Sequence, residues 1–258
     1  MVTIVIPARF QSRRFEGKPL AMLRGATGGA KSLIQRSWEA GCAVPEAARV
    51  IVATDDARIA EHARGFGAEV MMTSATCANG TERCAEVANS LPEAELIVNL
   101  QGDAPLTPPE FVSAVIAAME GVDMATPVLK ADAQTLRRLK GDRAQGLVGG
   151  TTAVFDDAGR ALYFSKEVLP FADSLGPSDA VFHHVGLYAY RPEALLRYAG
   201  WPMGCLERTE GLEQLRFLEN GASVRCVEVE AKGRVFWEVN NPPDIERVEN
   251  ALAEMGMA

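Results

Sequence analysis

The chain has 258 residues, 48% of them hydrophobic and 23% charged, and a chain of this size buries a full core without a staple. Its formal net charge of −8 excludes nonspecific nucleic-acid binding through a broad basic face, and is compatible with a small anionic ligand held in one basic pocket. The five cysteines, Cys42, Cys77, Cys84, Cys205 and Cys226, are scattered and form no CxxC pair, which argues against a disulfide framework or a structural zinc and fits a reducing cytosol.

Val2–Pro7 is a short apolar β-branched run that predicts a buried parallel strand. An amphipathic helix is expected over Ser32–Gly41, a second buried strand over Arg49–Thr54, and a helix over Ala57–Phe66 closing at Gly67. Glu69–Thr73 reads as a strand, Thr81–Asn89 as a helix, and Ala94–Leu100 as the next buried strand, ending at Gln101-Gly102-Asp103. Strand and helix alternate over roughly the first 130 residues, which predicts an α/β fold with a mostly parallel sheet covered by helices on both faces. Ligands bind outside the carboxyl ends of such strands. There three polar loops converge, Ala8–Lys18, Thr54–Asp56 and Gln101–Pro105.

The second half has a different texture. Strands are expected at Val148–Phe155, Phe182–Tyr190 and Val224–Val229, and helices at Pro192–Tyr198, Glu207–Asn220 and Ile245–Met255. Asp173–Asp179 reads as the most flexible stretch, and Arg143–Gly150 as a loop over the site. There is no internal repeat, no apolar run of roughly 18 residues that predicts a membrane span, and no secretory signal in MVTIVIPARF. A cytoplasmic location is expected.

The segment PARFQSRRFEGKPL places Arg9, Arg13, Arg14 and Lys18 directly after the first strand. A triphosphate needs several cations, and a leaving pyrophosphate develops charge that basic side chains and turn N–H groups stabilise. The spacing is neither a P-loop nor a GxGxxG dinucleotide fingerprint. By charge alone it is equally a solvated basic loop. Its position after strand one and the turn at Gly17 favour a ligand.

PARFQSRRFEGKPL resembles the signature loop of the sugar-activating nucleotidyltransferases, and is most similar to the 3-deoxy-manno-octulosonate (Kdo) cytidylyltransferase family. Further segments match in order: IVATDD, GTERCAEV, VNLQGDAP, ALYFSKEVLPF, HVGLYAYR and LEQLRFLENG. The resemblance spans nearly the whole chain. It implies one nucleotidyltransferase domain of the GT-A-like type, with a nucleotide-binding half over 1–130, a smaller sugar-binding and dimerisation part over 131–232, and a return to the core over 233–258. It implies transfer from CTP to an acidic sugar, with Mg²⁺, in a homodimer serving lipopolysaccharide or capsule synthesis. Arg9, Arg14, Lys18 and Asp103 are implied as catalytic, and Ala8, Arg13, Thr73, Gly80 and Thr81 join them as nucleotide-binding. Asp103 and Asn240 are the implied metal ligands: a carboxylate at a strand end suits that role, and an amide oxygen can ligate a hard cation without bringing charge. Gln101, Lys166, His184, Tyr188, Glu210 and Gln214 fall in segments implied to bind the sugar. On residue type alone His184 is equally a satisfied strand histidine, and only one of His183 and His184 can face a pocket. Glu210 and Gln214 are expected to share one helical face.

The chain also departs from the family pattern. Ala104 stands where QGDEP has Glu, and Asn240 where a second magnesium-binding Asp is usual, with Asn241 or Asp244 as possible substitutes. The stretch Thr76-Cys77-Ala78-Asn79 after Ser74, together with Glu16, Thr152 and Lys166, also differs. These positions bear on the base, the metal and the acceptor rather than on the triphosphate, and they leave open a related nucleotidyltransferase with a different acidic acceptor or nucleotide, or a nucleotide-binding homologue impaired in catalysis.

Overall fold

The protein is described by a computed structural model covering residues 1–12, 14–147, 150–171, 180–232 and 238–258. The chain forms two compact units, one of Met1–Ser113 with Ala231–Ala258 and one of Ala114–Glu230. The second unit begins at Ala114, ahead of the 130/131 division drawn from the sequence.

In the first unit β1 (Val2–Ala8) is followed by a hairpin of β2 (Met22–Arg24) and β3 (Ala30–Ser32), then by β4 (Ala47–Thr54), β5 (Glu69–Met72) and β6 (Leu96–Leu100). The order β5-β4-β1-β6 is parallel throughout. Thr3, Ile4, Val5 and Ile6 of β1 are all fully buried, which is why this strand reads as an unbroken apolar run rather than an alternating one. Helices Leu33–Cys42, Ala57–Gly65 and Gly80–Asn89 begin at Ser32, Asp56 and Asn79, whose side chains accept from the N–H groups of Gln35, Arg58 and Glu82. The helix Asp244–Glu254 closes the unit, packing Val248, Ala251 and Leu252 with Leu23, Leu33, Leu106 and Val239. The sequence order runs outward from β1 in both directions. The switch of direction therefore lies between β1 and β6, the place where such sheets open a ligand crevice at their carboxyl ends.

In the second unit β7 (Met124–Lys130) carries β12 (Val224–Glu228) parallel on one edge, and β10 (Phe182–His184) and β11 (Leu187–Tyr190) antiparallel and end to end on the other. β8 (Thr151–Phe155) pairs with β10, and β9 (Ala161–Ser165) with β8, both antiparallel. The core includes Tyr190, Tyr198 and Phe217, with ring centroids 5.6 Å and 4.9 Å from Phe217. Beside them the buried Arg216 and Glu207 form a two-pronged ion pair at 2.6 and 2.8 Å.

Three expectations are corrected here. The strand expected over Phe182–Tyr190 is two strands. Pro127 has no N–H to give, so the ladder on β7 breaks there: the chain advances from His184 to Ala189 while β7 goes only from Val128 to Ala125, and the Thr126 hydroxyl meets the carbonyls of Val185 and Leu187 instead. The helix expected over Glu207–Asn220 is two helices, Cys205–Glu210 and Leu215–Glu219, because Gly211 takes the left-handed conformation at φ 63° and caps the first. Arg143 and Ala144 end a helix over Ala133–Ala144 rather than opening a loop, and the Arg143 guanidinium donates to the carbonyls of Lys166 and Gly150. The stretch Asp173–Asp179, and Val148 at the start of the expected strand Val148–Phe155, lie outside the described residues.

Gly211 gives a test with a diagnostic sign. At φ 63°, Gly211→Ala is expected to destabilise the protein by roughly 1 kcal/mol, since left-handed geometry costs a side chain that much. In one continuous helix the same change would stabilise by about 1 kcal/mol. Urea denaturation midpoints of the two proteins distinguish these.

Candidate functional site

The carboxyl ends of β1 and β6 bring together a cation and a carboxylate 85 positions apart. Lys18 Nζ lies 2.6 Å from Asp103 Oδ2, in a part-buried ion pair. Local geometry explains the meeting. Lys18 opens a short 3-10 turn, Lys18–Leu20, set off by Gly17 at φ 67°. Asp103 follows Gly102, where a Cβ would lie 2.8 Å from the Pro7 carbonyl. Only glycine lets the β6 loop come this close to the end of β1.

A third segment completes the arrangement. The Val239 N–H donates to the Asp103 carbonyl at 2.9 Å, which holds Glu238–Asn240 against the Asp103 loop. Arg14 Nη2 donates to Asn240 Oδ1 at 3.1 Å, and Asn240 Nδ2 donates to Glu238 Oε2 at 3.4 Å. Glu238 is half-buried; desolvation, then the facing Asp103 charge, push its pKa up to about 7. Asp244 holds the turn: its Oδ2 accepts from the N–H groups of Asn240 and Asn241, and its Oδ1 from Arg247. That occupation leaves Asp244 unsuited to replace a missing ligand. Arg9 is exposed after β1, Ala8 is buried at its end, and Gln101 is half-buried at the start of the Asp103 turn. Arg13 lies outside the described residues.

The donors around Asp103 are hard oxygens, and Lys18 engages one of its two carboxylate oxygens. Among the described residues no group of three or more His, Cys, Asp or Glu gathers as a metal cage. Such a set fits Mg²⁺, which takes one or two carboxylates and completes its shell with phosphate and water.

On the other side of β1, Gly80 starts the helix Gly80–Asn89, where an added Cβ would lie 3.3 Å from Pro7 and from the Asn99 amide. Thr81 is fully buried. Thr73 accepts from the buried Arg83, which also meets Asp55 at 3.2 Å. The altered stretch after Ser74 is an ordered turn: Glu86 accepts from the Ser74 N–H through both oxygens and from the Cys77 thiol, and Glu82 from the Ala78 N–H. Burial and the Glu86 bond push the Cys77 pKa up to about 11, so this cysteine is no nucleophile.

The residues implied for the sugar belong to the second unit, apart from Gln101, and the structure separates their roles. His184 is 6% exposed; its Nε2 lies 2.9 Å from Thr126 Oγ1 and its ring packs on Phe164 at 5.0 Å. Burial, then the His183 charge, lower its pKa to about 3; burial, then Arg138, lower that of His183 to about 4. His184 is a core histidine. His183 lies instead against Gly150. Tyr188 is 4% exposed and donates to Gln214 Oε1 at 3.4 Å. Glu210 and Gln214 do not share a helical face, since Gly211 breaks the helix between them. Glu210 accepts from the Ser165 hydroxyl at 2.6 Å and the Lys166 N–H at 2.9 Å. Gln214 is 2% exposed and its amide nitrogen has no partner among the described residues. Thr152 is buried and ties Glu167 and Leu169 through its hydroxyl.

Glu238 is the site residue that sequence reasoning missed. Its signal is slight: an acidic residue two positions before Asn240, in a stretch without helical or strand periodicity. Ala104 is 2% exposed inside the Asp103 turn, so a carboxylate there would need its own cation.

A parallel sheet that brings a basic loop and a carboxylate together at its switch point has the architecture of a nucleotidyltransferase. Over residues 3–225 the chain matches the cytidylyltransferase family. It is 42% identical over 259 residues to the 3-deoxy-manno-octulosonate cytidylyltransferase of Maricaulis maris, covering 99% of this chain and 98% of that one. It is 37% identical to the mitochondrial 3-deoxy-manno-octulosonate cytidylyltransferase of Arabidopsis thaliana, covering 98% and 84%. A solved CMP:2-keto-3-deoxy-manno-octonic acid synthetase complexed with CTP aligns with a TM-score of 0.85 at 32% identity, over 98% of this chain and 99% of that one. The chain belongs to the 3-deoxy-manno-octulosonate cytidylyltransferase family.

The burial of the two histidines has a measurable consequence. Unfolded imidazoles take up protons below about pH 6.5, whereas the folded ones do so only at about 4 and about 3. Their contribution to stability is therefore full above pH 6.5 and is lost as pH falls toward 4. NMR ring signals of His183 and His184 are expected to stay constant from pH 8 to about 5. The urea midpoint should fall less between pH 7 and pH 5 in His184→Gln than in the wild type.

Proposed function

We propose that the chain transfers the cytidylyl group of CTP to Kdo or a closely related ulosonic acid, releasing pyrophosphate, with Mg²⁺ as the metal. The Lys18–Asp103 pair at the switch point is the observation that carries this reading. The basic loop after β1 takes the triphosphate, with Arg9, Arg14 and Lys18 against its oxygens. Their charge matters most as the bond between the α-phosphorus and the bridging oxygen breaks and negative charge gathers on the leaving pyrophosphate. Thr73, Gly80 and Thr81 line the nucleoside side, where the helix N-terminus offers N–H groups. The anomeric hydroxyl of the sugar forms the new bond to the α-phosphorus and gives up its proton. Asp103 would hold the magnesium, which supplies charge neutralisation at the α-phosphate when bound. Arg14 keeps the Asn240 amide oxygen engaged, so Asn240 contributes less to the metal than a carboxylate would.

No helix among the described residues is long and apolar enough to cross a membrane. The resemblance carries with it a homodimer, a cytoplasmic location and service to lipopolysaccharide or capsule synthesis, and nucleic acid and membrane have no part in the reading.

The test is pyrophosphate release with Mg²⁺, each nucleoside triphosphate in turn, and a panel of ulosonic acids. CTP with Kdo is expected to react fastest. Lys18→Ala and Asp103→Asn are each expected to lower kcat/KM by about 10²–10³-fold, the usual loss for one charge-stabilising group. Turnover with UTP in preference to CTP would reassign the nucleotide, and silence with every sugar at high metal would overturn the reading.

A further inference from the structure

The segment Glu238–Asn240 places a second carboxylate beside Asp103. Its register is set by the backbone bond from Val239 to the Asp103 carbonyl, 2.9 Å, and Val239 is anchored in the core beneath the C-terminal helix. Among the described residues Glu238 is held by the Asn240 amide at 3.4 Å, a marginal hydrogen bond. Lys18 and Arg14 are each engaged with a neighbour of Glu238, Lys18 with Asp103 and Arg14 with Asn240.

Binding of a triphosphate changes that balance. Phosphate oxygens compete for Lys18 and Arg14, and each cation drawn toward them weakens the compensation of Asp103 and Glu238. Two neighbouring carboxylates and a triphosphate then share a small, partly desolvated space, where like charges repel strongly. A divalent cation resolves the conflict, because it takes oxygen from both carboxylates and phosphates.

We infer that Glu238 is the second acidic residue of the cation site, acting with Asp103, and that Asn240 positions it through its amide while anchoring Arg14. The inference rests on the reading of the protein as a metal-assisted cytidylyltransferase. It assigns the cation to a pair of carboxylates on the loop after β6 and the segment 238–240. It also makes cation and CTP uptake mutually reinforcing, as linkage requires.

The test is the binding of Mn²⁺ to the full chain, followed by the EPR signal of free Mn²⁺, with CTP present and no acceptor sugar. CTP alone provides the blank. Glu238→Gln is expected to weaken Mn²⁺ binding at least about tenfold, and Glu238→Asp by less. CTP affinity measured in EDTA should be unchanged or tighter in Glu238→Gln, since one negative charge is gone. Removing one of two facing like charges is not expected to unfold the protein, which a melting curve checks, and Asn240→Ala should weaken Mn²⁺ binding less than Glu238→Gln. If Glu238→Gln keeps wild-type Mn²⁺ affinity while Asp103→Asn loses it, the site has one carboxylate; the inference is overturned and the cytidylyltransferase reading stands. If the wild type with CTP takes up no Mn²⁺ beyond the blank, the metal-assisted reading fails and this inference with it.

Discussion

The bond between Lys18 and Asp103 exists because the sheet reverses its order between β1 and β6. Adjacent parallel strands whose following connections turn to opposite sides leave their carboxyl-terminal loops uncovered, and both loops here carry charge. Gly102 sets how close they come, since any side chain there would meet the Pro7 carbonyl. The pair is part-buried, with the two side chains 17% and 20% exposed, so neither charge is fully hydrated and each needs the other. Arg14, Glu238 and Asn240 are arranged around this contact, and the backbone of Val239 docks on the carbonyl of Asp103 itself.

Much of the first unit was legible because its physics is local. A strand covered on both faces is apolar at most positions, and Ile4–Ile6, Ile51–Ala53 and Leu96–Val98 say so directly. Ser32, Asp56 and Asn79 satisfy the first N–H groups of their helices, and each stands at the boundary that the pattern implies. The second unit was less legible for equally definite reasons. Nothing in the periodicity of Glu207–Asn220 reveals that Gly211 adopts a left-handed turn, since glycine tolerates both conformations. Within Phe182–Tyr190 Gly186 alone hints at the break after His184, and the ladder bond that is missing there belongs to Pro127 on the partner strand.

The candidate site divides along the same line. The position of Arg14, Lys18 and Asp103 in loops at parallel strand ends was legible, and the structure brings Lys18 to Asp103 and Arg14 to Asn240; their roles came from the family resemblance, since a basic loop by charge alone is equally a solvated one. His184 and Tyr188 were ambiguous because a polar ring on a strand looks the same whether it faces a ligand or a threonine. The structure gives His184 to Thr126 and the core. Glu210 serves the chain locally, binding the Ser165 hydroxyl and the Lys166 N–H. Gln214, whose amide nitrogen is buried without a partner among the described residues, differs from both, because an unmade buried hydrogen bond costs free energy that a polar partner would recover.

The departures at Ala104 and Asn240 then read as one electrostatic solution rather than as separate losses. A carboxylate at position 240 could accept from Arg14, but it would add a third negative group beside Asp103 and Glu238 and could not donate to either. An amide does both: its oxygen accepts from Arg14 and its nitrogen donates to Glu238. The negative charge expected at position 240 is present two residues earlier, at Glu238, which the family pattern did not mark. Ala104 keeps a further carboxylate out of the buried turn, where it would press on the same pair. Among the described residues Asp103, Glu238, Lys18, Arg14 and the Asn240 amide form one linked set. If Glu238 acts with Asp103 as we infer, these substitutions move the second carboxylate of the site by two residues instead of removing it.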